Sequence, residues 1–551
     1  MRRALPSSAA ALLAAALAFP ALAQEGARPS EDDLFGSDSP PDAPATPTAP
    51  PGPPAPRDAP AAEGTGDDRA QQLLSGPAAE DKFKSGEAVE DPLQIGGQFY
   101  LRYFFNAADD QPPKEARVSS PTLLDVYMDA RPSERIRGYA RFRVSYDPTL
   151  DPNASSALGG LSVLGATQRP TTGSGTSTDL SSGSAPTTFG APRTTANPNF
   201  LLDQLWLKFD VGQTLFVTAG RQHVRWTVAR FWQPGDFLSP QQRDPLAVFD
   251  QRLGANLVKL HLPVEKLGWN FYGVAMLDNF GPANALGKLG GGLRGEFVVG
   301  NTEVGASAVF QAGRTPRYSL DVSSELGPLD VYAEAALRPE ADRLSVRYVA
   351  GAESRPFRYD LASALNTLQP LPYETYRLEG PAAQVTGGLS WSWAYRDNDT
   401  LTLGAEYFYN PYGYDDPNLF AAAILTGTYV PFYAGRHYAG LFLVLLGPGS
   451  MDNGTVTFST LGNLSDRSFL SRVDFIYRAL SFLQLEAFAA YHYGNLGEFH
   501  FGLNLPAQPN LPATPPGLSA DQARSWESIR TGGIQAPAPL LDVGIGARIS
   551  L

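Results

Sequence analysis

LQIGGQFYLRYFF, residues 93–105, alternates strictly, and that alternation decides the fold. One set of positions holds Leu93, Ile95, Gly97, Phe99, Leu101, Tyr103 and Phe105; the other holds Gln94, Gly96, Gln98, Tyr100, Arg102 and Phe104. A period of two belongs to a strand with one apolar and one polar face. The pattern returns at 136–147, where Ala140, Phe142, Val144 and Tyr146 alternate with Arg137, Tyr139, Arg141, Arg143 and Ser145. It also closes the chain, where Leu541, Val543, Ile545, Ala547, Ile549 and Leu551 alternate with Asp542, Gly544, Gly546, Arg548 and Ser550. Many such runs reach 10–13 residues. Soluble strands average about 5–6 residues, whereas strands that cross a bilayer need about 9–11.

Outward from these runs, 18 segments carry strand patterning: 93–105, 121–131, 136–147, 200–211, 214–226, 251–262, 269–278, 287–299, 302–312, 316–324, 329–338, 382–396, 399–410, 437–447, 453–461, 469–479, 482–493 and 540–551. Their connections are of two kinds. One set is short: 132–135, 212–213, 263–268, 300–301, 325–328, 397–398, 447–453 and 480–481. The other includes the long segments 148–199, 227–250, 339–381, 411–436 and 494–539. Short turns at one end and long loops at the other mark an outer-membrane barrel. With an even strand number both termini fall on the short-turn side. The expected fold is all-β: a transmembrane antiparallel β-barrel of about 18 strands. Aromatic residues at strand ends (Phe104-Phe105, Trp269 with Phe271, Tyr407 with Tyr409, Tyr491 with Tyr493) are the expected interfacial girdles.

The first 91 residues read differently. Arg2 and Arg3 precede an Ala/Leu-rich core within Ala9 to Phe19, and Ala21-Leu22-Ala23 fits a signal-peptidase site. Residues 1–23 are therefore expected to be an export signal. Residues 24–91 carry 15 acids against 5 bases and are rich in proline, as in Pro50-Pro51-Gly52-Pro53-Pro54. Such a stretch cannot offset its ordering entropy by apolar burial and is expected to be a disordered periplasmic arm. Residues 71–74 and 81–84 are a candidate short helix near the barrel mouth. Residues 92–551 form the barrel. The formal net charge of -13 therefore sits mostly in the arm, and no basic tract points to nucleic acid.

Charged residues are 18% of the chain, below the roughly 25% of a soluble domain. There is no cysteine, which excludes disulfides, thiolate metal sites and a lipidated N-terminal cysteine. The five histidines, His223, His261, His437, His492 and His500, form no clustered metal motif or catalytic triad, so neither an enzyme nor a cofactor is expected.

An 18-strand cylinder is wide enough for an aqueous lumen. Its inward faces are rich in arginine, with interleaved carboxylates Asp125, Asp129, Glu296, Glu334, Glu406, Asp474 and Glu486. Candidate solute contacts are Arg102, Arg137, Arg141, Arg143, Arg221, Arg225, Arg252, Arg294, Arg472 and Arg548. Arg137, Arg141 and Arg143 form a basic strip on one strand. Two readings stand side by side: an ion-paired lining that supports the wall, and a track for anions.

Within 203–262, Asp203-Gln204-Leu205-Trp206-Leu207 leads to Gly220-Arg221-Gln222-His223-Val224-Arg225-Trp226. Asp236-Phe237-Leu238-Ser239-Pro240, Arg243-Asp244-Pro245 and Asp250-Gln251-Arg252-Leu253-Gly254 follow. This region resembles a group of proteobacterial porin-like barrels, alginate-export-type proteins among them, that carry a Gly-Arg-Gln strand before a folded-in loop. Members usually have Trp-Gly after the motif, where this chain has Trp226-Thr227. The resemblance implies a porin-like barrel with 227–250 folded into the lumen as a constriction.

The expected function is passive or weakly selective passage of polar, including anionic, solutes. The alternatives are a polysaccharide-export barrel and an outer-membrane anchor for an adhesion or motility machine. Expected partners are outer-membrane lipid and, through residues 24–80, a periplasmic component.

Overall fold

A computed structural model describes residues 92–149, 198–239, 241–247, 252–277, 289–341, 343–367, 371–396, 399–511 and 520–551. The expected signal 1–23, the arm 24–91 with its candidate helix, and nearly all of the 148–199 connection lie outside these residues.

Eighteen strands form the wall: β1 (Leu93–Ala108), β2 (Thr122–Ser133), β3 (Ile136–Tyr146), β4 (Asn199–Val211), β5 (Leu215–Gln222), β6 (Ala255–Val264), β7 (Trp269–Met276), β8 (Gly290–Val299), β9 (Thr302–Gln311), β10 (Arg317–Leu326), β11 (Leu329–Arg338), β12 (Ala382–Ala394), β13 (Thr400–Tyr409), β14 (His437–Leu446), β15 (Gly454–Asn463), β16 (Ser468–Leu480), β17 (Leu483–Gly494) and β18 (Pro539–Ser550). Each pairs antiparallel with its sequence neighbours. β1 closes the cylinder on β18, with Gln98 opposite Ser550 and Phe105 opposite Val543. Closure leaves no sheet edge, which is the condition for a sheet to cross hydrocarbon.

Alternation sets the two faces. Outward positions are apolar and exposed, among them Ile95, Leu101, Phe142, Leu207, Leu293, Leu441 and Ile545. So broad an apolar exterior would aggregate in water and is stable in lipid. A charge placed there tests this. Leu441→Arg, midway along β14, is expected to destabilise the barrel by about 2–4 kcal/mol, read by urea titration in lipid vesicles. A neutral effect would place that face in water.

Rings cluster at both ends of the outer surface. Trp269 and Phe271 pack edge-on against Phe297 at the short-turn end, and Tyr491 stacks on Tyr493 at the long-loop end. Phe104 departs from the expected girdle. It faces inward, is 4% exposed and lies beside Phe488, because its register follows that of Arg102.

The two largest shifts from the expected strand limits flank one loop. β5 stops at Gln222 instead of 226, and β6 begins at Ala255 instead of 251. Gly220 marks the cause. Its φ is 126°, and a Cβ there would sit 2.2 Å from the Leu205 carbonyl oxygen. The backbone crowds its neighbour at this point and then leaves the wall for the lumen. On its other edge, against β3, β4 carries a bulge: Arg141 pairs with Gln204 but Phe142 with Leu202, so Asp203 is the extra residue. Both Asp203 and Gln204 consequently point inward and are buried.

The long loops fold on one another. They hold the strand pairs 117–119 with β1, 344–348 with 373–377 and 503–505 with 534–536, and the helices Phe357–Thr367, Leu419–Thr426 and Ala520–Gly532. Leu361, Phe420, Ala422, Leu505, Trp526 and Ile529 share one apolar cluster there.

Candidate functional site

The lumen wall is an ion-paired lattice. Arg143 makes two bonds to Asp125, at 2.8 and 2.9 Å. Asp129 accepts from Arg131 at 2.7 Å and from Arg137 at 2.9 Å. The bulged Asp203 lies 3.6 Å from Arg143, 3.7 Å from Arg141 and 2.9 Å from His223 Nε2. Tyr127, Tyr139 and Trp206 stack beside them with centroid spacings of 6.0 and 5.3 Å. Elsewhere on the wall Arg294 bridges Glu296 (2.8 Å) and Asp321 (2.7 Å). Arg472 pairs with Asp474, and Arg548 with Glu486 at 2.8 Å. Arg102 sets its guanidinium 4.2 Å from the centre of the Phe488 ring, with Arg472 4.5 Å from the same centre.

Eight of the ten candidate arginines are thus placed on this wall or on the loop described next: Arg102, Arg137, Arg141, Arg143, Arg252, Arg294, Arg472 and Arg548. Arg252 bonds Asp236 at 2.6 Å and secures the loop. Arg225 stands half-buried where the chain leaves β5. Arg221 lies in a different position from the one expected. Its register is opposite Leu205, an outward residue, and its Nε donates to the Gly254 carbonyl at 3.0 Å. It ties the two ends of the inserted loop together at the wall.

The described residues of that loop, 223–239, 241–247 and 252–254, enter the barrel. Val224, Trp226, Phe231, Trp232, Phe237 and Leu238 are buried, Trp232 completely. Two wall carboxylates hold its main chain. Glu406 on β13 accepts the N–H groups of Arg230 (2.9 Å), Phe231 (3.1 Å) and Trp232 (2.8 Å), and the Tyr332 hydroxyl at 2.7 Å. Glu334 on β11 accepts from Val228 N (3.2 Å), Gly235 N (2.5 Å) and the Thr227 hydroxyl. Successive N–H groups converging on one anion make a backbone nest, and bonds to charged groups are worth about 1.5–3 kcal/mol each. The Thr227 hydroxyl thereby anchors the loop's entry to the wall.

The loop tip packs on rings. Trp232 stacks on Phe408 at 5.9 Å and lies 5.4 Å from Tyr438. Phe231 meets Phe442 edge-on over Gly440, where a Cβ would come within 2.5 Å of the Phe231 ring. The neighbouring loop 410–436 is joined to it, as Trp232 Nε1 donates to the Phe432 carbonyl at 2.9 Å and Gln233 N to the Tyr433 hydroxyl at 2.9 Å. Beside this contact a cavity of about 20 Å³, lined by Asp244, Leu246, Phe432, Arg472 and Glu498, has room for about one water.

The inward positions of Glu334 and Glu406 were legible from alternation, but their grip on the loop was not. Glu498 and Asp466, which link the outer loops, carried no pattern in the sequence at all.

No protein-family model and no curated protein sequence matches the chain. Among solved structures, it is similar to OccAB4 of Acinetobacter baumannii, with 7% identity over 84% of this chain and 99% of the other and a TM-score of 0.44. It is similar likewise to OccK9 (OpdG) of Pseudomonas aeruginosa, with 10% identity over 84% and 100% and a TM-score of 0.44, and to the outer membrane protein opdK of the same organism, with 9% identity over 83% and 99% and a TM-score of 0.40.

Proposed function

We propose that this chain is an outer-membrane channel that passes small polar solutes, with anions favoured by the arginines of its wall. The observation that carries this reading is a closed cylinder, apolar outside and ion-paired inside, narrowed by its own loop. A loop seated on two wall carboxylates leaves a lumen suited to small solutes more than to a polymer, which favours passage over polysaccharide export. Residues 1–23 would direct export. The acidic arm would emerge at the short-turn side, where β1 begins, and residues 24–80 would meet a periplasmic partner.

Planar-bilayer recording of the purified protein tests the channel. We expect discrete conductance steps and a reversal potential shifted toward the anion in a salt gradient. Neutralising Arg141 and Arg143 together should move that potential toward the cation, because Asp125 and Asp203 then lose their counter-charge. Cation preference in the unmodified protein, unchanged in the double variant, would remove the anion reading. Absence of any conductance would remove the channel.

A further inference from the structure

One wall cation stands apart from the ion-paired lattice. Arg102 of β1 is half-buried, and among the described residues no carboxylate comes within ion-pairing distance of it. Arg137, Arg141, Arg143, Arg294, Arg472 and Arg548 each have such a carboxylate. The place of Arg102 follows from a glycine. Gly544 of β18 lies opposite both Phe104 and Phe488, and a Cβ there would stand 2.2 Å from the Phe488 ring. The bare backbone leaves room for that ring, and the guanidinium groups of Arg102 and Arg472 both settle by it. A ring face steadies a guanidinium but accepts none of its in-plane N–H groups and cancels none of its charge. Those donors remain for an oxyanion, whose paired oxygens match the guanidinium fork.

The local charge does not balance. Around Phe488, the cations Arg102, Arg472 and Arg548 meet the carboxylates Asp474 and Glu486. Asp474 is taken by Arg472, and Glu486 by Arg548 and the Tyr100 hydroxyl. One positive charge is left over, and its answer comes from the inserted loop. Asp244 lies in the field of Arg472, Arg102 and Arg243 and shares the cavity of about 20 Å³ with Arg472. Among the described residues it makes no ion pair, and one of its oxygens accepts Leu246 N at 2.9 Å. The main-chain bonds described for 241–247 run only to the loop itself. By contrast, 227–235 is fastened to Glu334 and Glu406 on the wall. The end of the loop that carries Asp244 is therefore the end that yields.

Resting on the channel reading above, we propose that Arg102 and Arg472 form a binding post for one small, singly charged oxyanion, with Asp244 as its built-in competitor. While no solute is present, Asp244 supplies the missing negative charge from the loop. An arriving anion takes over that task at shorter range, bonded to Arg102, and the 241–247 segment gives way. A single charge suits the post for two reasons. The excess to be neutralised is one, and Asp474, Glu486 and Glu498 stand around the place and repel a second negative charge.

The test records single channels of the full-length protein in rising potassium nitrate, and again in potassium sulfate. Nitrate conductance should saturate, as it does when a solute pauses at a site, and sulfate should need a higher concentration to do so. Asp244→Asn removes the competitor and should lower the half-saturating nitrate concentration roughly fivefold, the effect of one part-screened charge. Arg102→Gln should abolish saturation over the same range. It strands no paired carboxylate, so its urea midpoint in lipid vesicles should match that of the unmodified protein. Linear nitrate conductance, or a half-saturation unmoved by either variant, overturns the post. An unmoved value in Asp244→Asn alone overturns the competitor, and sulfate held as tightly as nitrate overturns the single charge. Should no protein conduct, the channel reading fails by itself. Labelling of Arg102 by phenylglyoxal, read by mass spectrometry, then decides the post. Slowing by nitrate, at lower concentration in Asp244→Asn, supports it, and labelling indifferent to nitrate overturns it.

Discussion

Glu406→Ala is expected to release the inserted loop and enlarge single-channel conductance, with noise from loop motion. The substitution leaves the N–H groups of Arg230, Phe231 and Trp232 without their common acceptor in a buried site. Bonds of this kind are individually worth about 1.5–3 kcal/mol, and buried donors left unmade cost about as much. Even about 3 kcal/mol lost from the seated state moves its population roughly 150-fold. Glu406→Gln keeps one acceptor oxygen and should fall between the two. The loop retains Glu334 and the ring contacts of Trp232, so the barrel itself should still fold and remain heat-modifiable in detergent gels. Conductance equal to that of the unmodified protein would show that the rings alone seat the loop.

The second large effect is on stability. Arg294 bridges Glu296 and Asp321, all three side chains being buried in the wall. Arg294→Met removes the cation and leaves two carboxylates facing one another. Breaking a buried ion pair from one side costs about 3–5 kcal/mol. Urea titration in lipid vesicles should show a midpoint lowered accordingly. Asp321→Asn in the same background should recover part of the loss, since it removes one stranded charge. Little change in stability with a large change in ion selectivity would mean that Arg294 serves the solute more than the wall.

These two cases separate the wall arginines from the loop anchors, and they differ in how visible they were. The basic residues could be assigned to the lumen because a strand reverses its side chains every residue, so Arg137, Arg141 and Arg143 must share a face. Their partners follow from pairing of adjacent strands, as with Arg143 opposite Asp125 across β2 and β3. Arg221 follows the same alternation, sharing the outward parity of Leu215, Val217 and Ala219, and one residue before the end of its strand it closes the loop's base instead of lining the lumen. Asp203 escaped this logic, because a bulge turns two successive side chains to the same side.

The amino-acid sequence by itself determined the cylinder. Period-two alternation, strand length and the contrast between short and long connections are local properties, and together they specify which residues meet lipid and which meet the interior. Only the tertiary structure decided how the interior is filled. Glu406 binds a backbone segment more than 170 residues before it, and Glu498 reaches Phe432 across 66. Such contacts follow from closure of the barrel and from main-chain N–H groups that every residue possesses, so no pattern along the chain encodes them.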